Sequence, residues 1–272
     1  MRFSLSTIDS PQVMGILNVT PDSFSDGGVN QSYANAVESA MRMVEQGAHI
    51  VDIGGESTRP GARAVSVEEE LERVIPVIEA IRQRSDVPIS LDTSKTEVMR
   101  AGLAAGASMI NDVNALRADG AIEVVAEYQV PVCLMHMQGQ PRTMQQNPIY
   151  ADVVDDVKDF LQERLNACVS AGISAREIAL DPGFGFGKSV AHNYTLLNAT
   201  PQFLALGQPV LIGISRKSML GAVTDKPVEQ RLASSVAAAT MAAIFGAHLI
   251  RVHDVDETVD ALKVVAATKN LK

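Results

Sequence analysis

Four basic residues near the carboxyl end of the sequence could bind an anion. Arg216 and Lys217 follow one short apolar run, and Arg251 and His253 end another. Arginine offers paired N–H donors to phosphate oxygens, and lysine and histidine add further donors. Solvated loop charges are the alternative, but that explanation suits one such residue better than four at two neighbouring positions. The pattern therefore predicts an anion site.

A second group consists of carboxylates and amides that end other apolar runs. Its members are Asn18, Asp52, Asp92, Asn111, Asp112 and Asp181. Because buried carboxylates are costly unless they are paired, some of these could simply pair with the basic group. The functional interpretation is recognition of a planar heterocycle, since a carboxylate accepts two parallel N–H bonds and an amide both donates and accepts. Met135 and Phe186 would then supply apolar walls.

Other kinds of site fit the sequence poorly. No histidine pair has zinc-ligand spacing. The glycine-rich segment 181–189 has Pro182 where a phosphate-binding P-loop needs its first glycine. A hard cation held by oxygen atoms, with Asn18 and a substrate diphosphate as ligands, is compatible with the residue types.

The positions of these polar residues predict the fold. Eight apolar runs end at Asn18, Asp52, Asp92, Asn111, His136, Asp181, Ser215 and Arg251. Polar residues at the same end of many strands can converge only if the strands lie parallel in one sheet, as in a (β/α)8 TIM barrel. Barrels frequently bind phosphate after strands 7 and 8, where the basic group falls. We therefore predict an α/β chain with a single TIM-barrel domain over residues 1–272 and long loops after strands 1, 2 and 5.

Between the apolar runs, the sequence contains motifs that mark the starts and ends of helices. Ser66 and Glu69 form a capping box at the start of one helical pattern, and Pro76 predicts a kink or a late start in it. Gly47, Gly106 and Gly246 share a pattern that predicts a left-handed helix cap with a strand about three residues later. An open doubly wound sheet is the competing architecture, but its G-x-G-x-x-G motif is absent after the first strand.

Composition limits the partners. The net charge of −9 disfavours nucleic acid, and the most apolar long stretch, Val236 to Ile250, is too short and mixed for a membrane span. Cys133 and Cys168 suit reduced thiols, and no secretory signal is evident, so we expect a cytoplasmic protein. A predicted alanine-rich helix from Val228 to Phe245 suits packing against another subunit.

Seven segments, in order along nearly the whole chain, resemble the motifs of the dihydropteroate synthase family. They are MGILNVTPDSFSDGG at 14–28, DIGGESTRPG at 52–61, SLDTS at 90–94, INDV at 110–113, DPGFGFGK at 181–188, GISRKS at 213–218 and RVH at 251–253. The resemblance implies a transferase of folate synthesis that joins 6-hydroxymethyl-7,8-dihydropterin diphosphate to p-aminobenzoate. The implied mechanism is dissociative, the implied cofactor is Mg²⁺, and the implied assembly is a homodimer. Sulfonamides compete for the p-aminobenzoate pocket in this family.

The resemblance also implies a role for each matching residue. The pterin would be held by Asp92, Asn111, Met135, Asp181 and Lys217. The diphosphate would be bound by Asn18, Arg59, Arg251 and His253, with Asn18 also holding the Mg²⁺. The p-aminobenzoate pocket would be formed by Thr58, Pro60, Phe186, Lys217 and Ser218. Catalysis would rest on Asp92, Lys217, Arg251 and His253. The loops holding residues 22–28 and 58–60 would close over the site.

Three rival functions share parts of this pattern. The pterin-binding domain of a corrinoid methyltransferase would not need the basic group or the loop at 57–60. A non-catalytic pterin-binding paralogue would be expected to have degraded loop motifs. A phosphate-binding barrel isomerase would need a Glu or His base, for which His136 is a weak candidate. The sequence defines no role for Asp52, Asp112 or His136.

Overall fold

Eight parallel strands alternate with helices in the computed structural model, which describes residues 3–19, 28–57, 63–139, 144–145 and 148–269. The strands are β1 Gln12–Asn18, β2 Ile50–Gly54, β3 Ile89–Asp92, β4 Met109–Asp112, β5 Val132–Met135, β6 Ile178–Asp181, β7 Leu211–Ile212 and β8 Leu249–Val252. Their order in the sheet is β6-β5-β4-β3-β2-β1-β8-β7. A bridge between Leu180 and Val210 joins the two end strands. The predicted TIM barrel is confirmed.

The helices cover the outside of this barrel. They are α1 Gly28–Glu45, α2 Val67–Arg84, α3 Thr96–Ala105, α4 Ala121–Tyr128, α5 Val153–Ser170, α6 Val190–Asn198, α7 Thr200–Leu204, α8 Ser218–Thr224, α9 Leu232–Ile244 and α10 Val255–Lys269. Short 3-10 segments lie at Leu5–Thr7, Ala175–Glu177 and Val228–Gln230. None of the helices in the described ranges is long and apolar enough to span a membrane.

Local signals in the sequence set several helix ends. Ser66 and Glu69 form the predicted capping box, and Gly47, Gly106 and Gly246 have φ values of +94°, +117° and +100°. α2 runs unbroken through Pro76, so the late start that Pro76 could have caused is not found. The predicted helix from Val228 was wrong in its first turns. A 3-10 turn follows Pro227, and α9 begins only at Leu232 because Arg231 departs from helical backbone angles.

Two layers of buried apolar side chains stabilise the barrel. One lies between the sheet and the helices, and Phe184 and Phe203 are its largest fully buried side chains. The other fills the interior of the barrel with Leu5, Met14, Ile50, Met109, Cys133, Ala179, Leu211 and Leu249. Leu5 is held over the amino-terminal ends of the strands by a hydrogen bond from its N–H to Glu177 Oε2 at 3.0 Å. The barrel is therefore a packed core, and polar residues can gather only at its carboxyl-terminal end.

Candidate active site

The guanidinium of Arg251 lies at the centre of the polar cluster at the carboxyl-terminal end. Its Nε donates to Asp52 Oδ2 at 2.6 Å, and its Nη2 donates to Asp92 Oδ2 at 2.7 Å. β1 separates β8 from β2 in the sheet, so the arginine side chain reaches across the barrel to both carboxylates. Asp52 is fully buried and Asp92 is 11% exposed in its side chain. Part of the acidic group therefore pairs with the basic group, which is the alternative that the sequence analysis gave for buried carboxylates.

Asn111 joins this network through Asp52. Its Nδ2 lies 3.2 Å from Asp52 Oδ2 and 3.4 Å from Oδ1. Asp181, at the end of β6, is also buried, and its Oδ1 accepts a hydrogen bond from Gly183 N at 2.7 Å. Asn111, Asp92 and Asp181 lie at or next to the carboxyl-terminal ends of three strands of one sheet, so their polar atoms face one mouth of the barrel.

Burial shifts the acid–base properties of these groups. Loss of solvation raises the pKa of Asp92 to about 7, although Arg251 opposes the shift. Burial also raises the pKa of Asp181, against the lowering effect of Lys217. For Arg251, burial acts to lower the pKa, but Asp52 and Asp92 outweigh it and the net pKa is raised. The arginine is therefore a fixed positive charge beside Asp92, whose own charge changes near neutral pH.

Lys217 is the second cation of the cluster. Its Nζ donates to the carbonyl oxygen of Phe184 and lies 4.8 Å from the centre of the Phe186 ring, within the range of a cation–π contact. Burial lowers the pKa of Lys217 to about 8, with Asp181 opposing the shift. Within the described part of the chain, the ammonium therefore contacts neutral groups and forms no salt bridge, although the Asp181 carboxylate is near enough to affect its pKa.

An apolar wall borders the charged groups. Met135, Met137 and Met144 form a buried cluster, with Phe186 and Val113 packed against it. The predicted walls, Met135 and Phe186, thus lie in one cluster. Thioether and aromatic side chains offer a polarisable surface that suits a flat ring.

His253 and Ser215 form a pair at the ends of β8 and β7. Ser215 Oγ lies 3.0 Å from His253 Nδ1 and accepts a hydrogen bond from His253 N at 3.2 Å. Ser218 is exposed at the first residue of α8, one residue after Lys217. Asn18 is partly buried at the end of β1 and lies beside Gly54 in the parallel register.

Other predicted residues have different surroundings. Arg216 belongs to an ion pair with Asp254, and its Nε donates to Asp254 Oδ2 at 3.1 Å. The predicted basic group of four therefore needs a correction, because Arg216 bonds to Asp254 outside the Arg251 network. Asp112 accepts from Ser94 Oγ at 2.6 Å and from the N–H groups of Asn114 and Leu116 at 2.7 Å each, so it stabilises the turn after β4. Thr58, Arg59, Pro60 and residues 20–27 lie outside the described residues.

Two buried groups were not assigned a role from the sequence. Lys188 hydrogen-bonds to His136, and Asp52 links Arg251 to Asn111. Asp52 was placed in the acidic group because it ends an apolar run at the same edge as Asp92, but its pairing with Arg251 was not assigned to it individually. No sequence signal of this kind marks Lys188, because it does not end an apolar run and lies in a glycine-rich loop that only resembles a P-loop.

The described residues of this site include few candidate metal ligands. Within the ranges that the structure describes, no group of three His, Cys, Asp or Glu side chains is arranged to hold an ion. Asn18 offers one neutral oxygen at the edge of the polar cluster. Such a donor fits an ion that takes most of its ligands from phosphate oxygens and water, as Mg²⁺ commonly does.

Comparison with known proteins agrees with this geometry. The family model described as "Pterin binding enzyme" matches residues 14–253. The dihydropteroate synthase of Escherichia coli strain K12 is 55% identical over 265 residues, which cover 97% of this chain and 94% of that protein. The chain belongs to the dihydropteroate synthase family. Like the other dihydropteroate synthases, it is a transferase enzyme.

Solved dihydropteroate synthases have the same fold. The Xanthomonas albilineans enzyme with 4-aminobenzoic acid is 55% identical with a TM-score of 0.93, and the alignment covers 97% of this chain and 95% of that one. A structure of the X. albilineans enzyme in complex with 7,8-dihydropteroate is 52% identical with a TM-score of 0.90, covering 98% of this chain and 96% of that one. These likenesses favour the synthase over the three rival functions.

Proposed function

We propose that this chain joins 6-hydroxymethyl-7,8-dihydropterin diphosphate to p-aminobenzoate within one domain, residues 1–272, and releases diphosphate and 7,8-dihydropteroate. The observation that carries the proposal is the position of Arg251, which bonds to Asp52 and Asp92 in a cluster with Asn111. That arrangement puts a phosphate-binding cation next to groups that bind N–H donors. Relatives solved with 4-aminobenzoic acid and with 7,8-dihydropteroate support one substrate and one product of this reaction.

Asp92, Asn111 and Asp181 recognise the pterin. Carboxylates accept the ring and amino N–H groups of a pterin, and the Asn111 amide can both donate and accept. Met135 contacts the flat face of the ring, and Lys217 donates to a ring acceptor from the side of Phe186. The buried setting strengthens each of these hydrogen bonds, because the surrounding dielectric is low.

Arg251 and His253 hold the diphosphate, with Arg59 and Asn18 completing that half of the site. Ser215 Oγ accepts a hydrogen bond from the backbone N–H of His253, so the hydroxyl proton of Ser215 can be donated to the ring nitrogen Nδ1 of His253. In that tautomer Nε2 carries the ring proton, and it is this N–H that would bind a phosphate oxygen when the diphosphate enters. Mg²⁺ bound to the diphosphate and to Asn18 would supply further neutralisation of the leaving group.

The reaction needs no nucleophilic side chain. The bond between the pterin methylene carbon and the diphosphate oxygen breaks first, and its electron pair leaves with the diphosphate. The methylene cation that remains is stabilised by the adjacent carboxylates, and donors fixed toward the departing oxygens lower the barrier. The amine nitrogen of p-aminobenzoate then bonds to the methylene carbon and loses a proton. Thr58, Pro60, Phe186, Lys217 and Ser218 position that second substrate.

A diphosphate-release assay tests this reaction directly. Release should require both the pterin diphosphate and p-aminobenzoate, and dihydropteroate should form in equal amount. Release without the amine would point to a hydrolase instead. If both substrates are present and nothing is released, the proposed reaction is wrong.

We also propose a homodimer that forms through α9. Met241 and Ile244 lie on one side of this helix and are 45% and 57% exposed, whereas its opposite face packs into the core. Exposed apolar side chains on one helix favour burial against another subunit. C2 dimers are the commonest assembly for such a surface.

A cytoplasmic location completes the proposal. Cys133 and Cys168 are both free and buried, which suits a reducing compartment. The net charge of −9 disfavours nucleic acid as a partner. The expected partners are therefore the two small substrates.

A further inference from the structure

Lys188 is a buried lysine that no step of the proposed reaction uses. It is 3% exposed and ends the glycine-rich part of the β6 loop, which comprises residues 182–189 between β6 and α6. Its Nζ lies 2.9 Å from His136 Nδ1, 3.3 Å from His136 O and 3.0 Å from Phe186 O. An ammonium has three donors, and each of these contacts can take one of them. Burial lowers the pKa of Lys188 well below its ordinary value, and Asp181 opposes that shift. The three hydrogen bonds stabilise the charged form of the buried amine.

His136 is the matching half of this contact. It is 6% exposed, and its ring packs edge-on against Phe160 with 5.0 Å between ring centroids. Burial, assisted by Lys188, lowers the pKa of His136 to about 3, so the ring is neutral at pH 7 and Nδ1 can accept. Tyr150 lies beside it and donates to Gly187 O at 2.7 Å. The residues after β5 therefore hold the β6 loop at more than one point.

The backbone contact between these two loops is unusually close. Gly183 has a φ of +72°, and a Cβ there would lie 1.9 Å from His136 O. Gly187 has a φ of +66°, and a Cβ there would lie 2.4 Å from Gln138 O. Only glycine permits both the positive φ and the approach. Lys188 lies at this junction and hydrogen-bonds to both loops.

The opposite side of the β6 loop faces the active site. The Phe186 ring lies 4.8 Å from Lys217 Nζ, and the Phe184 carbonyl accepts from the same ammonium. Phe186 is thus held through its carbonyl by Lys188 and contacted at its ring by Lys217. A shift of its carbonyl would change the position of the ring, because the two belong to one short turn.

We propose that Lys188, oriented by His136, is a positioning residue for the p-aminobenzoate side of the site. By holding the Phe186 carbonyl, it fixes the aromatic wall against which the amine substrate lies. This inference rests on the proposed role of Phe186 in p-aminobenzoate binding. Lys188 itself touches no substrate.

Steady-state kinetics of Lys188→Met test the proposal, since methionine fills a similar volume without donors. We expect KM for p-aminobenzoate to rise at least tenfold, while Kd for the pterin diphosphate changes less than threefold. Lys263→Met, on the exposed surface of α10, should change neither quantity. Equal weakening of both substrates would show a general structural defect and overturn the proposal, as would an unchanged KM.

Variants of His136 provide a second route that keeps the lysine. His136→Asn retains an acceptor close to the Nδ1 position, and we expect KM for p-aminobenzoate to stay within threefold of the parent value. His136→Leu removes the acceptor and should raise KM as Lys188→Met does. If Leu and Asn behave alike, orientation by His136 is wrong.

Hydrogen exchange separates this inference from the proposed function. Lys188→Met, and Lys188→Gln if the first variant does not fold, should speed exchange in residues 183–187 and leave the strands protected. Unchanged exchange in residues 183–187 overturns the positioning role.

A double-mutant cycle that combines Lys188→Met with Phe186→Ala should be non-additive in KM, and additivity would also overturn the positioning role. If Phe186→Ala alone leaves KM unchanged, the proposed role of Phe186 fails, and the exchange result still decides that of Lys188.

Discussion

Arg251 donates a hydrogen bond to Asp92 at 2.7 Å, and this contact joins the two halves of the proposed site. The arginine is the proposed anchor of the diphosphate, and the carboxylate is a proposed partner of the pterin. Because Asp52 binds the same guanidinium through Nε, the side chain is fixed at two points. Charge-assisted hydrogen bonds to two different carboxylates fix the plane of the guanidinium and so direct its remaining N–H groups toward one region.

Arg251→Ala should reduce turnover roughly a thousandfold, because a donor to the leaving group is lost. It also leaves Asp52 and Asp92 without their cation, so the free energy of unfolding should fall by about 3 kcal/mol near neutral pH. Single-turnover kinetics and urea denaturation measure the two effects. Arg216→Ala is the matched control, since Arg216 pairs with Asp254, and it should retain activity within about threefold. Normal turnover in Arg251→Ala would refute its assigned role.

Asp181→Asn should weaken binding of the pterin diphosphate about 10- to 100-fold, because a charge-assisted hydrogen bond becomes a neutral one. The amide oxygen can still accept from Gly183 N, so the β6 loop should remain in place. Titration calorimetry measures the affinity. Asp112→Asn serves as a comparison, since Asp112 stabilises a turn, and it should lower stability with little change in affinity. Unchanged affinity in Asp181→Asn would contradict the heterocycle role.

Pterin affinity should rise as pH increases through about 7. Asp92 has its pKa raised to about 7, mainly by burial, so the carboxylate needed for the pterin N–H groups forms only above that pH. The effect on stability has the opposite sign. Because the unfolded carboxyl ionises near its ordinary pKa of about 4, Asp92 lowers folding stability as pH rises between about 4 and 7. Asp92→Asn should flatten both profiles, measured by calorimetry and thermal unfolding, and retention of either slope would exclude Asp92 as its source.

Binding of p-aminobenzoate should weaken above about pH 8. Burial lowers the pKa of Lys217 to about 8, so the ammonium that lies over Phe186 loses its charge above that pH. Lys217→Arg should move the loss to higher pH, because arginine stays charged. The measurement is KM for p-aminobenzoate between pH 7 and 9.5. An identical alkaline limb in Lys217→Arg would assign the loss to another group.

Gly183→Ala should destabilise the protein far more than Gly207→Ala. Both glycines have positive φ, +72° and +79°, so both substitutions carry about 1 kcal/mol of backbone strain. Only at Gly183 would the new Cβ meet another atom at 1.9 Å, whereas nothing lies within 4 Å at Gly207. Urea denaturation gives the difference. Equal losses would mean that the β6 loop can move away from His136 at little cost.

Ile244→Lys should shift the protein from dimer to monomer in sedimentation equilibrium. The charge would lie in the apolar face of α9 that we propose to be buried between subunits. Ile149→Lys is the control, because Ile149 is 71% exposed and lies in the loop after β5. If the parent protein sediments as a monomer, the proposed interface is wrong.

Much of the barrel could be predicted from local sequence rules. Apolar runs with polar ends identify parallel strands, and capping residues such as Ser66 and Gly106 mark where the helices begin and end. These signals are local because they depend on backbone hydrogen bonds within a few residues. The non-helical start at Val228 was missed because apolar periodicity continued through it.

The site could be predicted only to the level of which strand ends contribute. Asn111 and Asp112 are consecutive in β4 and therefore point to opposite faces, so only Asn111 meets Asp52 inside the barrel. Arg216 and Lys217 differ for another reason: Arg216 adopts a φ of +59°, and the turn directs the two side chains to different partners. That backbone angle has no signature in the residue types. The roles of Asp52 and His136 depend on contacts between distant segments.

The seam of the barrel lies between β6 and β7, where a single bridge, Leu180 with Val210, replaces a ladder of hydrogen bonds. Asp181 and Lys217 stand on opposite sides of that seam. The distances between most other site residues are set by paired strands. The distance between Asp181 and Lys217 depends instead on side-chain packing and on the β6 loop. Among the described strands, fewer backbone hydrogen bonds fix the width of the barrel at this seam than between neighbouring strands with a full ladder. The seam runs between the proposed pterin carboxylate and the lysine that is proposed to contact both substrates, so any change in its width would alter the distance between those two groups.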